Sequence, residues 1–296
     1  MTDPEALRAN HDHWEKLARF HGTGDDSYYD LELLRAGGTL MGDEELAALR
    51  RATDGEGIEG WSVLHLQCHI GCDSISMARM GATVTSVDFS RSALDRLETL
   101  SAECGVVVAT VEADATDLPA SLTDAFDLVY ASIGVLCWIS DLDAWMSGVA
   151  RALRTGGRLV LVELHPLVTM AESLDPLVVD FPYAFDGPHT YSGTGTYANR
   201  DADIPWTTVQ YAHSIGDVVT AAAAAGIVTT YLEEHLSGSF NTGQFEGPED
   251  DGRYRLRLGV GAEHDGVREL ACPMPVLYSL VGEKPDPTSR PRAASK

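Results

Sequence analysis

The sequence predicts an α/β protein built on a doubly wound, mostly parallel seven-stranded sheet. Three observations carry this. The stretch from Val63 to Ser90, VLHLQCHIGCDSISMARMGATVTSVDFS, reads as strand, turn, helix, strand and acid. From there to Leu164, short β-branched runs alternate with helical patterns, as a layered α/β sheet requires. Two further strand-like runs, Ile227 to His235 and Val276 to Val281, bring the strands to seven.

Within the opening unit, Val63 to Leu66 is an apolar run of strand length, and Gln67 to Cys72 turns around Gly71. Ile75, Met77, Ala78 and Met80 follow at helix-compatible spacing, and Gly81 stands where that helix stops. Thr83 to Val87 is the second strand, with Asp88 at its end. Two strands so close, joined by a helix, lie parallel in one sheet. Such a unit opens a crevice beyond the carboxyl ends of its strands. The helix N-terminus after Gly71 offers free N–H groups to an anion. Asp88, 17 residues beyond Gly71, suits a carboxylate accepting bonds from two ribose hydroxyls.

Residues 4–52 precede the sheet and read as helical. Leu7, His11, Trp14, Leu17 and Ala18 share one face. Asp30 to Arg35 forms a second piece, Gly37-Gly38 breaks it, and Asp43 caps a third through Arg51. We take residues 1–58 as a helical cap across the open end of the sheet. After Asp88, Ser90 caps a helix to Glu103, and Val106 to Val111 is the third strand, followed by Asp114. Phe126 to Ala131 is the fourth strand and leads into Ser132 to Trp138. Ser140 with Asp143 resembles a capping box for a helix to Arg154, and Arg158 to Leu164 is the fifth strand.

Residues 165–212 break this rhythm with Pro, Gly, Tyr and Asp, which marks a lid beside the crevice. Ser192 to Thr196 reads as a flexible turn inside it, and Trp206 to Ala212 as a strand. Ser214 with Asp217 caps a helix to Ala225. The main domain spans 59–283, and 284–296, rich in Pro and Ser, is an expected disordered tail.

The 296 residues carry 21 basic and 45 acidic side chains, a net charge of −24. That balance argues against a nucleic-acid partner and against an anionic membrane surface. No apolar run is long enough to span a membrane, and the N-terminus lacks a signal-peptide core. Five cysteines, an odd number, do not form a disulfide framework, so a reducing cytoplasm is the expected setting, with the chain a monomer or homodimer. His65, Cys68, His69 and Cys72 invite a zinc reading. Their crowding over one strand and one turn fits it poorly, and no metal is expected.

The phrase LHLQCHIG…ARMGATVTSVDFS resembles the cofactor site of class I S-adenosylmethionine (SAM) methyltransferases. It is most like a small-molecule branch whose first loop reads LQCHxGxD. Of the family's usual D-x-G-x-G-x-G only Gly71 keeps its place; His65 stands for the acid, and Gln67 and His69 for two glycines. The resemblance covers residues 60–165 and implies a Rossmann-like fold, N-terminal helices folded over the pocket, and SAM as cofactor. It implies that Asp88 and Phe89 meet the ribose, Asp114 and the Ala115 backbone the adenine, and Gln67, His69 and Gly71 the amino-acid end. Ser132 to Trp138 would approach the methionine portion, with Trp138 either walling the adenine or filling the core. Trp14, Tyr28 and Tyr29 would close on the cofactor or pack helix to helix.

Methyl transfer from a sulfonium needs alignment more than acid–base chemistry, and a base only where the acceptor loses a proton. The base candidates are His165, directly after the fifth strand, and Tyr191 on the lid, with His213 behind them. The expected activity is methyl transfer to a small organic molecule of secondary metabolism. An NAD-dependent oxidoreductase is the alternative, disfavoured by the missing G-x-G-x-x-G, and a SAM-binding protein without transfer is a third reading.

Overall fold

A computed structural model describes residues 4–23, 28–174, 177–239, 249–258 and 272–286. Helices α1 (Pro4–Phe20), α2 (Leu31–Arg35) and α3 (Asp43–Ala52) come first. The βαβ unit follows as β1 (Ser62–Leu66), α4 (Cys72–Arg79) and β2 (Thr83–Asp88). Next are α5 (Arg91–Glu103), β3 (Val108–Glu112), β4 (Phe126–Ser132), α6 (Leu142–Ala152) and β5 (Leu153–Leu164). The expected lid holds α7 (Pro166–Thr169), β6 (Ala171–Leu174), β7 (Leu177–Val179), β8 (His189–Thr194) and β9 (Pro205–Gln210). The chain ends in α8 (Ile215–Ala224), β10 (Val228–His235), β11 (Leu256–Leu258), β12 (Cys272–Met274) and β13 (Leu277–Glu283).

Seven strands form one sheet in the order β10-β13-β5-β4-β1-β2-β3. The five from β3 to β5 pair in parallel, and β13 runs antiparallel to both β5 and β10. Period-two alternation sends neighbouring residues to opposite faces, and both faces are covered. Leu64, Val129 and Leu161 pack with Trp145 and Val218 from α6 and α8. Val63, Leu128 and Val160 pack with Ile75, Leu94 and Leu97 from α4 and α5. The chain leaves β1 toward β2 on one side and reaches β4 on the other, so the crevice opens at the carboxyl ends of β1 and β4.

Several local expectations are corrected. Asp141, not Ser140, caps α6 by accepting the Ala144 N–H at 2.9 Å, and the helix ends at Ala152. Asp141 stands one place closer to the first turn, and its carboxylate is the stronger acceptor. Asp43 is the first residue of α3 rather than its cap. Gly42 holds the cap position without a side chain, so Glu45 reaches back to the Gly42 N–H at 2.7 Å. Ser192 to Thr196 is not a flexible turn: residues up to Thr194 belong to β8, which pairs antiparallel with β9 from His189↔Gln210 to Thr194↔Pro205. The side chains of β8 alternate between half-buried and exposed, the pattern of a ribbon with one face docked. Residues 287–296 of the expected tail, and Pro248 of the acidic loop before β13, lie outside the described residues. Among the described residues no helix is long and apolar enough to cross a membrane.

Glu163, near the end of β5, shapes the segment after β4. Its buried carboxylate accepts the N–H groups of Gly134 at 2.5 Å, Val135 at 2.8 Å, Leu136 at 2.9 Å and Leu164 at 2.6 Å. Burial still pushes its carboxyl above the ordinary value. Glu163→Ala strands those donors and should lower unfolding stability by about 3–5 kcal/mol in urea titrations, with Glu163→Gln falling between.

Candidate active site: a cavity at the carboxyl edge of the sheet

A cavity of about 910 Å³ opens over the carboxyl ends of the strands. The turn between β1 and α4 forms its floor. Gly71 adopts φ +75° at the start of α4, where an added Cβ would overlap Leu97 of α5. Gln67 and His69 also adopt left-handed backbone, at φ +53° and +48°, a strained choice for residues that carry a Cβ. Each is held there. The Gln67 amide donates to the Val135 carbonyl at 3.0 Å and accepts the Trp145 indole N–H at 3.1 Å. The His69 backbone N–H donates to Asp88 Oδ2 at 2.9 Å.

Asp88 also takes the Ser90 N–H on Oδ1 at 2.9 Å. Burial lifts its carboxyl to about 6 against these bonds. The Phe89 N–H bonds to it as well, and a carboxylate, with about four lone-pair sites, still keeps capacity for a ligand's hydroxyl. Asp114 turns its Oδ1 to the N–H and hydroxyl of Thr116, both at 2.8 Å.

Aromatic and imidazole rings roof the cavity. Trp14 of α1 meets Trp138 edge-on at 5.3 Å and His69 at 5.1 Å between centroids. Tyr197, beyond β8, meets Tyr28 at 5.2 Å, and its hydroxyl lies 2.5 Å from that of Tyr29 and 3.2 Å from His21 Nδ1. His21 Nδ1 in turn lies 2.9 Å from His69 Nε2, so the N-terminal helical segment, the hairpin and the turn share one polar chain. Burial holds His69 well below the ordinary histidine value and His13 at about 4, which keeps both neutral.

All ten residues expected to touch a cofactor line this cavity: Tyr29, Gln67, His69, Gly71, Asp88, Phe89, Asp114, Ala115, Ser132 and Trp138. The two expected bases do not. His165 is buried, places Nε2 2.7 Å from Glu234 Oε1, and uses Nδ1 to accept the Leu167 N–H at 3.2 Å, capping α7. With both ring nitrogens engaged, it has no lone pair to offer an acceptor. Tyr191 sits on β8 against Phe181, with ring centroids 6.1 Å apart, outside the cavity lining. His213 directs Nε2 to the Ile139 carbonyl at 2.7 Å. The crowded quartet separates as well: His65 Nδ1 meets Ser74 Oγ at 2.7 Å while His69 points to His21.

Sequence reasoning missed Glu45 and Asp73. Both line the cavity; Tyr130 donates its hydroxyl to Glu45 Oε1 at 2.6 Å, and Ser132 donates to Asp73 Oδ2 at 2.9 Å. Burial, and for Glu45 the Asp73 charge beside it, push both carboxyls up. Asp73 stands two residues after Gly71 and was within reach of that pattern; Glu45 carried no signal beyond its capping position.

Glu15 fastens the roof. Its carboxylate accepts the Ser90 hydroxyl at 2.7 Å, the Ser92 N–H at 3.0 Å and the Ser92 hydroxyl at 2.5 Å, pinning α1 to the start of α5. Burial opposes its charge, but the bonds from Ser92 and Ser90 outweigh it and hold the carboxyl at about 2. A folded-state value below the ordinary 4.5 contributes stability above pH 4.5 that is lost as pH falls toward 2. The gap in urea midpoint between wild type and Glu15→Gln should be full at pH 6 and narrow steadily on acidification.

Residues 64–159 match a family described as "Methyltransferase domain". The cypemycin N-terminal methyltransferase of a Streptomyces species is 32% identical over 146 residues, 48% of this chain and 58% of that protein. The chain thus spans little more than half the length of this curated relative. A solved structure described as "Conversion of a Disulfide Bond into a Thioacetal Group during Echinomycin Biosynthesis" superposes with TM-score 0.55 at 16% identity, covering 93% of both chains. The 1,6-didemethyltoxoflavin-N1-methyltransferase of Burkholderia thailandensis, solved with its substrate and S-adenosylhomocysteine (SAH), superposes with TM-score 0.52 at 13% identity, covering 97% of this chain and 92% of that one. At such identities these two show the fold alone. The matched residues 64–159 and the strand order are those of a methyltransferase domain with the Rossmann-like class I fold.

Proposed function

We propose that the protein transfers the methyl group of SAM to a small organic molecule of secondary metabolism. The carrying observation is Asp88, a buried carboxylate at the end of β2 with lone pairs left over, facing the Gly71 turn across one cavity. In this reading Asp88 and Phe89 hold the ribose, Asp114 and the Ala115 backbone the adenine, and Gln67, His69, Gly71 and Ser132 the amino-acid end. The free N–H groups at the start of α4 suit that end's carboxylate. Tyr29 and Trp138 wall the site. The bound cofactor supplies an already activated methyl group.

The protein's own part is alignment and exclusion of water. Residues 1–58 act as a cap and 165–212 as a lid around the domain 59–283. Asn10 of α1 supports that reading by exchanging two hydrogen bonds with Val209 of β9, at 2.7 and 2.8 Å, which joins cap and hairpin. With His165 and Tyr191 outside the lining, catalysis rests on proximity rather than on a base from either residue. Secondary metabolism is supported by the similarity to the cypemycin N-terminal methyltransferase, and a cytoplasmic setting by Cys68, Cys72, Cys104 and Cys137 being free thiols.

Calorimetry should show binding of SAH and none of NAD, whose diphosphate has no G-x-G-x-x-G turn to receive it; the reverse result would move the protein to the oxidoreductases. Asp88→Ala should weaken SAH by about 2–3 kcal/mol through lost charge-assisted bonds. Asp88 ionises at about 6, and its carboxylate is the form that accepts from hydroxyls. SAH affinity should therefore rise with pH through about 6 and level off above, and this dependence should vanish in Asp88→Asn. His165→Ala should leave SAH affinity unchanged.

A further inference from the structure

The strand order divides the cavity into two ends. Asp88 at the end of β2 and Asp114 after β3 mark the end that the proposed function gives to the adenosine. Ile133 after β4 and Leu164 at the end of β5 mark the other, together with Ser239 and Tyr254. The methyl acceptor is left with this second end, and its chemistry is one-sided.

Glu45 and Asp73 stand between the two ends. Their described donors, Tyr130, Ser132 and the Gly42 N–H, are all neutral. Burial raises both carboxyls, Glu45 also through the Asp73 charge, and a pair that shares one proton keeps one negative charge. Among the described residues that line the cavity there is no lysine or arginine. Arg253, the neighbour of Tyr254, is committed to Glu44, Asp43 and Ser237. The lining histidines His13, His65 and His69 are all neutral, because burial disfavours their charge.

An anion brought into such a site would lose its water next to carboxylates, with no cationic side chain among the described lining residues to compensate. An uncharged molecule escapes that cost, and a protonated amine gains from it. At this second end Tyr254 adds an aromatic face that attracts cations and flat bodies, and Ile133 and Leu164 add apolar surface.

We propose that the methyl acceptor is an uncharged or amine-bearing compound on an aromatic or apolar body, and that the cavity rejects carboxylated and phosphorylated molecules. This rests on the methyltransferase reading, and its test separates the two. SAH binding is measured first, by calorimetry, on the wild-type protein; absence of binding there strikes the proposed function itself. The SAH complex is then titrated with three probes of one shape and different charge: tryptamine, tryptophol and indole-3-propionate, followed by ligand-observed nuclear magnetic resonance. Tryptamine and tryptophol should bind, and indole-3-propionate should be weaker by about tenfold or more, as like-charge juxtaposition predicts. The gap should shrink in Asp73→Asn and in Glu45→Gln, each checked for folding by circular dichroism. Equal or tighter binding of indole-3-propionate, or binding of none of the three, overturns the proposal. A gap unchanged in both variants overturns the part given to the carboxylate pair.

Discussion

The hydrogen bond from the His69 backbone to Asp88 is the constraint on which the site depends. It ties the turn after β1 to the end of β2, and so sets the floor of the cavity. The turn is strained: Gln67 and His69 both hold a left-handed backbone that costs a side-chain-bearing residue on the order of 1–2 kcal/mol. Asp88, the Val135 carbonyl and the Trp145 indole offset that cost together. The side chains that replace glycine gain a use in return. Gln67 reaches the segment after β4, and His69 reaches the cap through His21. A glycine at either place would satisfy the turn and make neither connection.

Around this floor the protein keeps several carboxylates in a water-poor place with very different means. Glu163 is matched by four backbone N–H groups and works as a clasp. Glu15 is matched by two serines and works as a pin. Asp88 is matched only in part and stays open to a ligand. Glu45 and Asp73 have neutral donors and each other. The fewer the donors a buried carboxylate finds in the protein, the more its ionised form gains from a guest that supplies them.

The fate of His165 shows what decides a histidine's role at a strand end. Position after β5 placed it near the crevice, as its neighbour Leu164 confirms by lining the cavity. Direction then removed it. Antiparallel β13 beside β5 brings β10 within reach, and Glu234 of β10 takes the Nε2 side while α7 takes Nδ1. A ring with two satisfied nitrogens at the start of a helix is a fastening.

The sequence by itself determined the mostly parallel sheet, the turn around Gly71 and Asp88 at the end of its strand, because these follow from local signals: strand period, helix stops, and an acid at a fixed distance from a glycine. The other expected lining residues, among them Asp114, Ala115 and Trp138, came from the resemblance to a known family. Capping was legible where the cap residue and its partner lie three apart, as in Ser214 with Asp217, and misread at Ser140, where an adjacent aspartate competed. Only the tertiary structure decided what lies opposite what. The contacts of Tyr197 with Tyr29 and of Asn10 with Val209 span 168 and 199 residues. The pairing of Tyr130 with Glu45 spans 85. No periodicity in a single chain encodes such meetings. They arise when packing of both sheet faces sets the cap, the hairpin and the crevice against one another, and the charge of the cavity is a product of that arrangement.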